Sequence, residues 1–241
     1  HVIDAGARAG AAVAARGPEI GQGWAASLSM GAGQFCTNPG VLLGVKGEDF
    51  TELQTEAVAV LDASSDQKML TDSIQSAYHS GLSGLAQSAK EITDGRRSET
   101  PRHGRPAAFR VDAKTWLTTP ALHEEVFGAA GVFVECDSPE QMMLVAQDLA
   151  GQLTITLQLE TNDTALAREL LPIIEEKAGR LLCNGFPTGV EVCGAMMHGG
   201  PYPASTDSRS TSVGTLAIAR WLRPVSYQNF PLELLDDAFK G

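Results

Sequence analysis

The stretch GVFVECDSPEQMMLVAQDLAGQLTITLQLETNDTALARELLPIIEEKAGRLLCN, residues 131–184, decides the fold. Gly131–Glu135 is a short apolar run of strand length, and Pro139–Leu149 shows helical periodicity with a proline suited to a first turn. Leu153–Leu157 reads as a second strand rich in β-branched residues, Thr164–Lys177 as a second helix, and Arg180–Asn184 as a third strand. Strand and helix in alternation predict an α/β fold, a three-layer α/β/α domain with a mostly parallel sheet. Upstream the pattern continues. Val41–Val45 reads as a buried strand, and Asp49–Ala63 as a helix with Phe50, Leu53, Ala57, Val60 and Leu61 on one face. Ile20, Trp24, Leu28 and Met30 predict a helix over Pro18–Met30, and Ile74, Ala77, Tyr78, Leu82 and Leu85 predict another. Thr93–Pro106, polar and rich in Arg, Gly and Pro, reads as a solvated loop.

Beyond residue 184 the periodicity stops. Gly185–Gly214 is dominated by Gly, Pro, Ser and Thr, and so long an aperiodic segment in a compact domain is usually a functional loop region, so it is expected to line a site. Val213–Leu222 reads as helical, and Arg223–Pro231 as an extended tail strand whose two prolines suit an edge. Composition narrows the function classes. With 18 Lys and Arg against 29 Asp and Glu the formal charge is −11, which argues against a nucleic-acid binder. No run approaches the roughly 18 apolar residues of a membrane span, and no leader pattern opens the chain, so a cytoplasmic location is expected. His1 in place of an initiator Met suggests a chain that begins partway through a longer protein.

The four cysteines, Cys36, Cys136, Cys183 and Cys193, are too few for a disulfide scaffold and form no Cys-x-x-Cys pair. No histidine pairing suggests a metal site. Cys36 lies in Gly33-Gln34-Phe35-Cys36-Thr37-Asn38-Pro39-Gly40, a glycine-bearing loop between a predicted helix and a predicted strand. Two readings of it stay open from the residues alone: an attacking thiolate, or a buried thiol acting as a small hydrophobe. Gly21-Gln22-Gly23-Trp24-Ala25-Ala26 fits a dinucleotide fingerprint on paper, but the sequence predicts no strand before it and no βαβ unit around it.

Gly33-Gln34-Phe35-Cys36 resembles the Gly-Gln-x-Cys nucleophile motif of the aldehyde dehydrogenase superfamily, and Glu124-Glu125-Val126-Phe127-Gly128 resembles its Glu-Glu-x-Phe-Gly cofactor motif, in the expected order. Ala129 departs from the proline usual there. The resemblance implies that Cys36 is the nucleophile and that NAD or NADP is the cofactor. It implies further that Glu125 hydrogen-bonds the ribose beside nicotinamide and that Phe127 packs beside the ring. It implies a catalytic domain over 1–222 and a bridging or oligomerisation strand with a tail over 223–241, a homo-oligomer in the full-length enzyme. The general-base Glu, the oxyanion-hole Asn and the dinucleotide-binding domain have no counterpart in the sequence, so the chain alone is expected to be inactive.

Segments 184–192 and 199–209, with Arg223-Pro224-Val225-Ser226-Tyr227-Gln228-Asn229, resemble the branch of that family that oxidises 2,5-dioxopentanoate to 2-oxoglutarate. A small-molecule aldehyde with a 2-oxo acid end needs a cation or donors away from the thiol, and Arg209 is the candidate. Arg209 pinning its own loop is the competing reading. Phe186 is a candidate wall of the aldehyde pocket, or a core side chain. Dehydrogenation of another aldehyde, a nicotinamide-independent cysteine hydrolase using Cys36 with a base such as His198, and a non-catalytic folding or oligomerisation module are the alternatives.

Overall fold

The structure, a computed structural model, describes residues 2–4, 11–187 and 189–239; His1, and Thr188 within segment 184–192, lie outside them. Its elements are β1 (Val2–Asp4), α1 (Ala11–Ser29), β2 (Val41–Val45), α2 (Glu48–Ala63), β3 (Gln67–Lys68), α3 (Asp72–Leu85), β4 (Lys90–Glu91) and β5 (His103–Gly104). They continue with β6 (Ala107–Asp112), α4 (Ala113–Thr118), β7 (Ala130–Cys136), α5 (Pro139–Asp148), β8 (Gln152–Gln158), α6 (Thr164–Lys177) and β9 (Ala178–Cys183).

Among the described residues, seven strands form one sheet in the order β4-β6-β7-β2-β1-β8-β9, and every neighbouring pair is parallel except β4 with β6. Successive side chains of a strand point to opposite faces, so β2, β6 and β7 each feed two cores. On one face Leu42, Ala108 and Phe133 meet Trp24, Leu28, Phe50, Leu53 and Leu61 of α1 and α2. On the other, Val41, Leu43, Phe109, Val111, Val132 and Val134 meet Tyr78 and Leu82 of α3, Val145 of α5 and Ile174 of α6. The three-layer expectation therefore holds. Trp24 and Phe133 anchor the first face with ring centroids 4.5 Å apart.

Helix starts follow capping chemistry. Thr71, Asp112 and Ser138 each accept a hydrogen bond from the backbone N–H three residues on, satisfying a donor that the helix leaves orphaned. α1 begins earlier than its amphipathic pattern indicates and bends at Arg16, whose Nε donates to Glu160 at 2.6 Å. Contrary to the sequence reading, β1 precedes it and pairs parallel with β2, so a βαβ unit does surround Gly21–Ala26; those residues lie inside α1 and not at a strand-to-helix turn, so they form no dinucleotide fingerprint.

The Thr93–Pro106 segment is more than a solvated loop. Arg105 within it is buried, donating to the carbonyls of Ser64 and Asp62 and to the carboxylates of Asp66 and Asp94. The tail also differs from expectation. Thr215–Trp221 is a 3-10 helix with no buried residue, and 222–230 pairs with no strand among the described residues. Its apolar side chains face outward, Trp221 being 84% exposed. A helix or strand held by nothing on its apolar side lacks the packing that normally stabilises it.

Candidate active site

The site lies at the amino-terminal edge of the parallel strands. Open α/β sheets more often bind ligands outside the carboxyl ends. Three segments converge here because each leads into, or lies across, the start of a strand: 30–40 before β2, 124–129 before β7, and 196–212 across β8 and β9.

Cys36 sits in the first of these. After α1 the chain turns through Gly31, Ala32 and Gly33, all in the left-handed region at φ 57, 60 and 68°. That conformation costs a non-glycine residue of order 1 kcal/mol, so the turn persists only because its surroundings hold it. They do: the Ala32 N–H donates to Gln67 Oε1 at 2.6 Å, the Leu70 N–H to Gln34 Oε1 at 2.9 Å, the Asn38 amide to the Leu28 carbonyl at 2.8 Å, and the Trp24 indole to the Pro39 carbonyl at 2.8 Å. Between these clamps the Cys36 thiol is exposed, which separates it from Cys136, where burial pushes the thiol up to about 12. The buried-hydrophobe reading of Cys36 is thereby removed.

Glu125 and Phe127 are carried alongside. A Cβ on Gly33 would lie 2.2 Å from Gly128 C and from Ala129 N, so the two segments touch backbone to backbone three residues before the cysteine. Tyr78 fixes the second segment, its hydroxyl donating to the carbonyls of Arg105 at 2.7 Å and Ala129 at 3.0 Å. Its phenol is buried, which raises its pKa far above the ordinary range. Glu125 is exposed, with no hydrogen bond or ion pair among the described residues, and Phe127 is 38% exposed. An unpaired carboxylate and an open aromatic face, two residues apart beside a thiol, fit the hydroxyls of a ribose and the face of a planar ring.

The third segment brings in a residue whose role the sequence left open. Gly199 lies against Gly179 at the start of β9 so closely that a Cβ on Gly179 would be 2.1 Å from the Gly199 carbonyl oxygen, and this seats His198 with Nε2 3.2 Å from Cys36 Sγ. Arg180 is close by. Its guanidinium donates to the carbonyls of Gly189 and Pro187 at 3.0 Å each, and it interacts electrostatically with both Cys36 and His198. Burial first, and Arg180 second, push the His198 pKa below its ordinary value. On its other side His198 borders a cleft of about 340 Å³ with Leu153, Ser205, Thr206, Ser212 and Arg220 in its walls.

Two expected site residues fall elsewhere. Phe186 packs on α1, where a Cβ on Gly23 would come within 2.5 Å of its ring, and it joins the α1–α2 core as a core side chain. Arg209 is 89% exposed and bonded to Asp207 at 3.1 Å, the loop-pinning arrangement, while Arg180 and Arg220 are the cations at the site. Among the described residues no His, Cys, Asp or Glu cluster suits a metal ion, and no helix is long and apolar enough to cross a membrane.

No family model matches the chain. Solved structures do, and they share its architecture. A 1-pyrroline-5-carboxylate dehydrogenase from Thermus with bound NAD superposes with a TM-score of 0.71 at 18% identity, over 91% of this chain and 40% of that one. An NAD-dependent aldehyde dehydrogenase from Sinorhizobium meliloti gives 0.69 at 18% identity, over 91% and 42%. The chain has the aldehyde dehydrogenase fold. In sequence it is 47% identical over 232 residues to alpha-ketoglutaric semialdehyde dehydrogenase 2 of Azospirillum brasilense, and 42% identical over 232 residues to the alpha-ketoglutaric semialdehyde dehydrogenase of Acinetobacter baylyi. Each match takes in 95% of this chain and 44% of the relative, so the chain spans less than half the length of the curated relatives it matches.

Proposed function

We propose that these residues form the thiol-bearing catalytic portion of an NAD(P)-dependent dehydrogenase that oxidises 2,5-dioxopentanoate, alpha-ketoglutaric semialdehyde, to 2-oxoglutarate. The observation that carries this reading is the 47% identity across 95% of the chain to a protein of that name, with Cys36 exposed in a clamped loop at the site. Cys36 Sγ forms a bond to the aldehyde carbon as the thiol proton leaves and the C=O π pair passes to oxygen, giving a thiohemiacetal oxyanion. NAD(P)+ held by Glu125 and Phe127 would supply the hydride acceptor that converts this adduct to a thioester. Water then adds to the thioester carbon, the C–S bond breaks, and the thiol is restored as the dicarboxylate departs.

The 2-oxo acid end of the substrate fits the cleft beyond His198, where the Thr206 hydroxyl and Arg220 offer donors to a carboxylate. Arg209, on the rim of the same loop, is proposed to act at longer range. The exposed apolar side chains of 216–234 support the reading of the tail as a segment that pairs with a neighbouring subunit.

Reduction of NAD(P)+ by 2,5-dioxopentanoate, followed with the full-length protein and with Cys36→Ser, tests this reading. Wild type turns over, and the variant loses roughly a thousandfold or more, since nothing else forms the covalent bond. Turnover by Cys36→Ser within about tenfold of wild type overturns it. Residues 1–241 alone are expected to show none. A second reading, a nicotinamide-independent thiol hydrolase, is favoured by the Cys36–His198 contact. Thioester hydrolysis without any redox activity in the full-length protein would select it.

A further inference from the structure

We propose that His198 is the base that takes the proton from the Cys36 thiol as Sγ attacks, a role that rests on Cys36 being the nucleophile. The two side chains come from positions 162 residues apart, and Nε2 lies 3.2 Å from Sγ, within reach of direct proton transfer. The position is built. The His198 N–H donates to Thr211 Oγ1 at 2.8 Å, and its carbonyl accepts from the Ser212 N–H at 3.0 Å and the Ser212 hydroxyl at 2.9 Å. Thr211 Oγ1 is itself tied to the Val213 carbonyl at 2.7 Å. The backbone on both sides of the imidazole is therefore fixed, which is how a base is kept at attack distance.

The ring's surroundings select its resting protonation state. Among the described residues, the charged and titratable groups that face it are Cys36, Arg180 and, across the cleft, Arg220, and none of these is an anion that would hold an imidazolium. Nδ1 is buried with no partner among the described residues, so no carboxylate orients the ring from behind. Burial and Arg180 both act against the protonated ring. His198 therefore waits as a neutral acceptor, with its proton on Nδ1 and its lone pair on Nε2 toward the thiol. As the S–C bond forms, the thiol proton moves to Nε2 and the carbonyl oxygen takes the electron pair. When the thioester is hydrolysed the imidazolium returns that proton to the departing thiolate.

A thiol and an imidazole that share one proton react through their ion-pair form over the whole pH range between their two titrations. Iodoacetamide reads this directly, its iodide leaving as the S–C bond forms and the proton passing through Nε2 to water. Alkylation of the full-length protein is followed from about pH 5 to 10, with labelled peptides resolved so that Cys36 is separated from Cys183 and Cys193. The wild-type Cys36 rate is expected to hold a plateau through neutral pH and to fall only as His198 protonates, at a pH below its ordinary 6.5. His198→Gln is expected to lose the plateau, to label about tenfold or more slowly near pH 7, and to gain rate with pH as an unassisted thiol does. A His198→Gln profile that overlays wild type overturns the proposal. If the variant fails to fold by circular dichroism, the wild-type profile decides alone, and a wild-type rate with no neutral plateau overturns it. The nucleophile reading fails separately: it falls if Cys36→Ser still turns over, whereas His198 alone falls if Cys36→Ser is inactive and His198→Gln labels normally.

Discussion

Substituting Gly33 with Ala tests whether the cysteine loop and the Glu125–Phe127 segment form one rigid site. The new Cβ would lie 2.2 Å from Gly128 C and Ala129 N and 2.4 Å from Gly128 O, all of them backbone atoms that cannot rotate away. Restoring an ordinary contact of 3.4 Å from 2.2 Å requires one segment to move by about 1.2 Å. Holding a non-glycine residue at φ 68° costs about 1 kcal/mol. Forcing apart packed groups costs about 1–3 kcal/mol more. Together these come to about 2–4 kcal/mol, which corresponds to a melting temperature lower by roughly 5–15 °C for a chain of this size. Thermal unfolding by circular dichroism reads the stability, and the KM for NAD(P) reads the geometry, since that separation moves the carboxylate and ring away from the thiol. Gly84→Ala is the control. No atom lies within 4 Å of the Cβ it adds inside α3, so it should stabilise by about 0.5–1 kcal/mol. A Gly33→Ala protein that melts within about 2 °C of wild type, with an unchanged KM for NAD(P), would refute the backbone contact on which the site reading depends.

Arg105→Met leaves two carboxylates beside a buried position and should destabilise by about 3 kcal/mol, measured by urea unfolding. Asp94 is held below the usual carboxylate range first by Arg96 and then by Arg105, and Asp66 first by Ser98 and then by Arg105. Both contributions are therefore complete above the ordinary carboxylate range and fade as pH falls below about 4, so wild type loses more stability than Arg105→Met across that acid window. Cys136, raised to about 12 by burial, should resist iodoacetamide near pH 8 until the protein is unfolded, while Cys36 and Cys183 label in the native state. Mass spectrometry of the labelled peptides checks this. Glu125→Gln should raise the KM for NAD(P) by roughly tenfold while Cys36 labelling stays at the wild-type rate. Arg220→Ala should raise the KM for 2,5-dioxopentanoate more than that for a neutral aldehyde of similar length, and Arg209→Ala should do so to a smaller degree. Equal effects on both aldehydes would remove the carboxylate role from either arginine.

Most of the sheet is legible in the sequence because its strands carry local signals. Val41–Val45 and Ala130–Cys136 are β-rich apolar runs, and the intervening helices show their buried faces at helical spacing. β6 is not legible. Ala107, Ala108 and Phe109 are all buried there, but Ala is a poor strand former, and the run sits directly behind a polar loop. β3, β4 and β5 have two residues each and exist only through distant partners, such as Lys90 with Arg110 and Gln67 with Gly104. No local pattern specifies such pairs. Arg105 escapes a sequence reading for a related reason: a cation within a polar stretch looks solvated until the chain folds back and surrounds it with the Ser64 and Asp62 carbonyls.

The site divides along the same line. Cys36, Glu125 and Phe127 are legible as motif residues, and each sits a few residues before a strand, so its place follows once the strand's place is known. His198 and Arg180 belong to no motif of that kind. His198 reaches Cys36 because 199–200 lies flat on the starts of β8 and β9, which requires glycine at 179 and 200, while a Cβ at Gly199 would meet the Ser210 carbonyl. A side chain larger than hydrogen at Gly179 would lift that loop by roughly 1 Å or more, the shortfall from ordinary contact, and take Nε2 out of hydrogen-bonding range of Sγ. In the sequence the glycines of 185–214 signal only a loop, and their physical content is narrower: they set the distance between an imidazole and a thiol 162 residues apart. Glycine content in a functional loop is thus a statement about how closely one backbone must approach another.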